Sequence, residues 1–274
     1  MRPAPLALAA LLLLPRPALA WGPTVYRAVV QRAVDSLPSP LKGFYKARLL
    51  LLPSVAPDSA PPQDSPDRRF PADRYVPYPF TELPRNEEAL KARFGEAAGP
   101  GRLPWLLLES HARLVEAFKA KDEEKILAES DTLASLVADL DNPLAVTDNA
   151  DGQKTGQHGL YVRFCVKLPE AMDKRLKLDS PGAFLLDDPR DYVFASLRAS
   201  YVWVDNLLYE EDLARRGQGG YTDLYYEALE KRAGPLLKAR LSQAAGDAGS
   251  FWYSAWTAAG KPELKTTASK PESK

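Results

Sequence analysis

Two consecutive stretches, "WLLLESHARLVEAFKA" from Trp105 and "DEEKILAESDTLASLVADL" ending at Leu140, limit the possible folds most. In the second, Ile126, Leu133, Leu136, Val137 and Leu140 fall on one face at helical spacing. Val25, Val29, Val30 and Ala33 do the same in "PTVYRAVVQRAVDSLP", and "SPLKGFYKARLLLL" reads as a further helix. The C-terminal half supplies "RDYVFASLRASYVWVDNLLYEEDLARR", then, past the break "GQGG", "YTDLYYEALEKRAGPLLKARLSQAA" and "SFWYSAWTAAG". No segment alternates with period two, so the expectation is an all-α, single-domain helical bundle of about seven helices. At 274 residues, with no long polar linker between apolar halves, one core suffices.

Both ends stand apart from that core. Residues 1–20 carry an early Arg2, an apolar run from Leu6 to Leu14 and the small-x-small ending Ala18-Leu19-Ala20, the grammar of a signal peptide. The run is too short to span a bilayer, and no other segment approaches that length. This predicts a secreted or periplasmic protein that starts at Trp21, with no membrane span after signal cleavage. The domain is expected over 21–264, and the polar residues 265–274 form a disordered tail. Proline blocks helix formation repeatedly over 53–80, which predicts a long ordered loop or covering flap.

Removing residues 1–20 takes away two arginines and no acids, leaving 34 basic against 36 acidic side chains. That balance gives no electrostatic case for nucleic acid or an anionic membrane. Cys165 is the only cysteine, so no disulfide staples the chain.

The segment "LASLVADLDNPLAVTDNADGQKTGQHGLYVRFC" combines several spacings that suit a metal site. Ser135 and Asp139 are four apart and share a helix face; Pro143-Leu144-Ala145 follows, then Asp151-Gly152, Gly159, and the pair Tyr161 and Cys165. Taken alone, Asp139 also reads as part of a polar helix end with Asp141 and Asn142, and Cys165 as a small buried hydrophobe. His111 and His158 are the only histidines, and nothing in the sequence assembles a His-rich cluster or a Ser-His-Asp arrangement around them; His111 reads as a core or surface histidine, and His158, three residues before Tyr161, as a loop residue or a substitute ligand from a shifted backbone. "TDNADG" does not continue as a calcium loop, because His158 falls where a bidentate Glu is needed. "GQGG" has no lysine in a phosphate-loop context.

This pattern resembles the secreted trinuclear-zinc superfamily of bacterial phospholipase C and single-strand-specific nucleases. That family reads Leu-x-His-x-x-x-Asp, Pro-Leu-His, an Asp-Gly turn and Gly-x-His-x-x-aromatic-Glu/Asp. Trp21-Gly22 is similar to the family's mature start, whose Trp ligates zinc; "GRLPW" (Gly101 to Trp105) and the two closing segments are similar as well. The resemblance implies that Trp21, Asp58 and Asp139 are vestigial metal ligands. It also implies lost-ligand positions at Tyr26, Ser135, Ala145, Tyr161 and Cys165, with Arg69 or its neighbour Arg68 replacing a further ligand.

Zinc usually takes three or four protein donors, and none of the three implied sites keeps them. No cofactor is therefore expected, although the family would bind zinc. The implied function is a pseudoenzyme whose remodelled cleft binds an unidentified ligand or protein partner. The alternative is a divergent metal-dependent phosphodiesterase, a phosphoric ester hydrolase holding one weak metal through Trp21, Asp58 and Asp139. A third reading is a partner subunit of an active paralogue.

Overall fold

A computed structural model describes residues 21–52, 65–95, 99–172, 175–179 and 181–266. The signal-peptide expectation, Asp58 and residues 267–274 of the expected tail lie outside the described residues. Within them the fold is all-α with no strand, built from α1 (Pro23–Ser36), α2 (Leu41–Lys46), α3 (Glu87–Phe94), α4 (Leu103–Ala120) and α5 (Glu123–Leu140) in the first half. Three consecutive pieces follow: α6 (Leu160–Val162), a π turn over Arg163–Lys167, and α7 (Leu168–Met172). The remaining helices are α8 (Pro189–Tyr201), α9 (Val204–Arg215) and α10 (Asp223–Ala258). No described helix is long and apolar enough to cross a membrane.

The centre of the molecule is α5. Asp122 caps it by accepting from Lys125 N at 3.2 Å, and Glu123 and Glu124 complement the positive end of the helix dipole. Every residue from Ile126 to Leu140 is buried, so the single apolar face expected from periodicity is a correction: α1, α4, α8 and α10 surround this helix. Polar residues on α5 are consequently inside the protein whichever way they point, and each needs a partner.

The helix count also differs from the sequence expectation. The two closing segments are one 36-residue helix, α10, with Pro235 inside it. Pro235 cannot donate to the carbonyl of Lys231, but Lys231 is exposed and water can satisfy that carbonyl, so the helix continues. Conversely, the stretch expected as one helix over 190–216 turns at Val202–Trp203, and α2 stops at Lys46, leaving Leu50 exposed. The π turn has a similar local cause. Pro169 has no N–H for the carbonyl of Cys165, four residues back, and the helical bonding pattern loosens there.

α1 packs against α10 at Gly249, where a Cβ would collide with Ser36 Oγ and lie 3.2 Å from the Ala33 carbonyl. The chain before α8 is strapped along α10 by serines: Ser242, Ser250 and Ser254 accept from the backbone N–H groups of Asp179, Phe184 and Leu186 at 2.8–3.1 Å. Trp252 stacks on Tyr45 at 4.6 Å and donates to the Ser130 carbonyl at 3.0 Å, pinning α10 to α5.

His111 on α4 meets the ring of Phe251 edge-on at 5.8 Å, and its Nε2 is buried without a partner. Burial pushes its pKa down to about 4. A depressed folded-state value means the contribution of His111 to stability is present above about 6.5 and is lost as pH falls toward 4. His111→Phe is therefore expected to gain about 2 kcal/mol on the parent at pH 5 relative to pH 7.5, measured by urea unfolding. An equal difference at both pH values would show that burial does not depress the His111 pKa in the folded state.

Candidate functional site

Ser65–Ala72 delivers an arginine to α5. Ser65 Oγ accepts from Asp67 N at 3.3 Å and caps the 3-10 turn Pro66–Arg68. On one side the start of α4 holds this turn, with Arg102 N donating to the Asp67 carbonyl at 2.9 Å. Gly101, at φ 133°, permits the approach, since a Cβ there would sit 2.8 Å from the Arg69 carbonyl oxygen. On the other side Phe70 N and Ala72 N donate to the carbonyls of Ala145 and Val146 at 2.7 and 3.1 Å. Ala145 thus serves through its backbone while its side chain is fully buried.

Clamped in this way, Arg68 rather than Arg69 points inward. Its Nε donates to Asp139 Oδ2 at 2.8 Å, and its Nη2 lies 2.6 Å from the same oxygen and 2.8 Å from Ser135 Oγ. Arg68 is 4% exposed and Asp139 1%, so the pair is enclosed by protein. Burial pushes the Asp139 carboxyl up to about 6, against the pull of Arg68, and Asp139 Oδ1 has no hydrogen-bond partner among the described residues. Ser135 Oγ completes its bonding by donating to the Thr132 carbonyl at 3.0 Å.

Tyr26 belongs to the same stripe, one turn further back. Its hydroxyl donates to the Asp131 carboxylate and approaches the Asp131 carbonyl at 2.8 Å. Asp131, Ser135 and Asp139 follow one another at four-residue intervals on α5, all buried. Asp131 was not among the residues singled out in the sequence, although that spacing from Ser135 was there to be read. Burial raises its carboxyl to about 6, with the Tyr26 hydroxyl opposing the rise.

Trp21 is buried against Phe164 at 6.0 Å and donates Nε1 to the Ala138 carbonyl at 2.7 Å, so its indole holds the segment before α1 to α5. Tyr161 is buried; burial first, with the Asp139 charge adding to it, pushes its hydroxyl pKa well above the ordinary value. Asp151 accepts from Gly159 N at 2.8 Å and Tyr161 N at 3.1 Å, which fixes the turn into α6. Cys165 is fully buried, and burial raises its thiol pKa although Asn142 Nδ2 donates to Sγ at 3.2 Å. In the metal-free protein such a thiol stays protonated at neutral pH and is no nucleophile. His158 is exposed and contributes its carbonyl to Arg163.

The described residues of this site do not fit a zinc centre. Asp139 already holds a guanidinium, and the neighbouring positions offer a hydroxyl, a methyl group, a phenol and a protonated thiol in place of imidazoles and carboxylates. Among the described residues no group of three or more His, Cys, Asp or Glu side chains is arranged to hold a metal ion.

Arg69 faces outward and lines a cleft of about 250 Å³ together with Arg74, Asp148, Asp151 and Gln153. Arg74 is paired with Asp148, whereas Arg69 makes no ion pair with an acidic side chain among the described residues, and its charge acts on the buried Tyr161 hydroxyl.

The sequence matches no protein-family model and no curated protein sequence. The fold is nonetheless of the phospholipase C type seen in clostridial alpha-toxins. It is similar to Clostridium perfringens alpha-toxin from an avian strain, with TM-score 0.54 and 10% identity over 87% of this chain and 65% of that one. It is also similar to the alpha toxin of Clostridium absonum, with TM-score 0.51 and 11% identity over 84% of this chain and 63% of that one. The chain thus spans just under two thirds of the length of either toxin.

Proposed function

We propose that this protein is a phospholipase C-like or nuclease-like pseudoenzyme, exported to the cell exterior or periplasm, that binds a ligand or protein partner at its remodelled cleft. The observation that carries this reading is the Arg68 guanidinium, seated 2.6–2.8 Å from Asp139 and Ser135 inside the protein. A fixed side-chain cation there neutralises Asp139 and would repel a dication, so the helices around α5 stay packed without metal. Arg69, which makes no ion pair among the described residues and lines a cleft in the same segment, supplies a charge for recognition. The export reading rests on the signal grammar of residues 1–20 and on the likeness to secreted toxins. Nucleic acid is disfavoured as a ligand by the charge balance.

A reduced-metal phosphodiesterase is the competing reading, and one observation favours it: the partnerless Asp139 Oδ1 is an acceptor left over in the site. Chelation separates the two. Metal that binds only the folded state stabilises it by RT ln(1 + [L]/Kd), several kcal/mol for a tight site. On the pseudoenzyme reading, thermal unfolding with and without EDTA superimposes, purified mature protein carries no stoichiometric zinc, and phosphodiester substrates are not turned over. A midpoint lowered by several degrees in EDTA, with hydrolysis restored by zinc, would establish the reduced-metal enzyme instead.

A further inference from the structure

The connection from α9 to α10, residues 216–222, places three glycines directly after two arginines, in the order "RRGQGG". Every residue from Arg216 to Leu224 is exposed except Gln218, which is partly so. An added Cβ at Gly217, Gly219 or Gly220 would meet open space. Gly217, at φ 75°, uses its glycine to turn the chain, whereas Gly219 has neither a close neighbour nor a left-handed φ and serves to loosen the connection. α9 ends at Arg215, and Arg216 already has extended backbone, with φ −61° and ψ 130°.

Arg216 is held only lightly. Its side chain shares the Asp212 carboxylate with Arg215, at 2.7 and 3.2 Å, and ion pairs this open to water are worth little. No backbone N–H among the described residues donates to its carbonyl. Other exposed arginines outside the long helices differ in this respect. The Arg85 carbonyl accepts from Trp105 Nε1 at 3.3 Å and Arg190 Nη1 at 3.0 Å, the Arg175 carbonyl from Lys177 N at 2.9 Å, and the Arg69 carbonyl from Leu103 N at 3.4 Å. On both sides of the loop the helices are anchored. Glu211, fully buried on α9, accepts at Oε1 from Tyr225 Oη and Arg163 Nη2, each at 2.9 Å, and Arg232 on α10 pairs with Glu210 at 3.1 Å.

We propose that the Arg216–Gly217 bond is a processing site for an arginine-specific endopeptidase, and that the chain remains one folded body once it is cut. Exposed loops of small and polar residues are where chains are nicked, because the backbone there can enter a protease without unfolding a core. An enzyme of this class takes its substrate extended and reads the arginine in an acidic pocket. Arg216 supplies both the side chain and the backbone shape, and Gly217 puts no Cβ beside the scissile bond. Water adds across that bond, leaving a carboxylate on Arg216 and an amine on Gly217. The contacts that join α9 to α10 lie in the helices, outside the loop, and survive the cut.

Limited digestion of the purified mature protein with an arginine-specific endopeptidase in native buffer, read by intact mass, tests this. The expected first products are two fragments, one ending at Arg216 and one beginning at Gly217, that elute together in gel filtration and keep the near-UV circular dichroism of the uncut protein. With Arg215→Gln and Arg216→Gln combined, the intact chain should survive about a hundredfold longer, because every other arginine must wait for a helix or a clamped turn to open. Both positions are on the surface side of α9, so the variant folds as the parent does. A first cut after any other arginine overturns the proposal, as does cutting at many arginines at once, a double variant digested as fast as the parent, or fragments that separate without denaturant.

Discussion

Replacing Arg68 with alanine is expected to destabilise the protein by about 3–5 kcal/mol at pH 7.5, the usual cost of leaving one member of a buried ion pair alone. Asp139 Oδ2 would lose the guanidinium, Oδ1 already has nothing, and the carboxylate is 1% exposed. The pH dependence gives the cause. Asp139 is raised to about 6 by burial even with Arg68 beside it, and without Arg68 it rises further. A carboxyl with a raised folded-state pKa gives stability that is fully present below its unfolded value near 4 and is lost as pH rises through the folded value. The deficit of Arg68→Ala should accordingly be largest above pH 7 and shrink between pH 6 and 4, in urea unfolding at both ends. Removing both charges, as in Arg68→Leu with Asp139→Leu, should cost less than Arg68→Ala alone, because no unpaired ion remains. A loss under about 1 kcal/mol with no pH dependence would mean that Arg68 does not compensate Asp139.

Periodicity made α1, α4 and α5 legible because each carries repeated apolar residues at three- and four-residue steps. It could not show that α5 is surrounded, since burial on every side depends on helices far away in sequence. The choice between Arg68 and Arg69 was illegible for a related reason. Adjacent residues in a proline-rich segment have no period, and their direction is set by remote clamps, the Arg102–Asp67 and Phe70–Ala145 hydrogen bonds. Asp131 was legible in principle, being four residues before Ser135, but its partner Tyr26 is 105 residues away and the helix pattern says nothing of it. The continuity of α10 through Pro235 turned on the exposure of Lys231, a tertiary property no local signal reports.

The double variant Arg68→His with Ser135→His is expected to convert a centre that holds a guanidinium into one that holds zinc. Arg68 and Ser135 now touch each other and Asp139, so two imidazoles at those positions would approach the same carboxylate from the turn and from one helical step away. Asp139 then supplies a third donor, and its idle Oδ1 becomes available to metal or to the new imidazoles. Removing the guanidinium also removes the charge that would repel a dication. Elemental analysis should find one zinc per chain in the variant and none in the parent. Thermal unfolding should rise with zinc in the variant alone, with about 4 kcal/mol of stabilisation when free zinc exceeds Kd a thousandfold. In EDTA the variant should be less stable than the parent, because Asp139 would then be buried without a fixed cation. Near-UV circular dichroism distinguishes a folded variant from a collapsed one. If the variant is folded and still takes up no zinc, then the turn at Arg68 and the Ser135–Asp139 face of α5 no longer hold the spacing a metal requires, and the resemblance to a metal enzyme extends to the path of the helices but not to the geometry of their side chains.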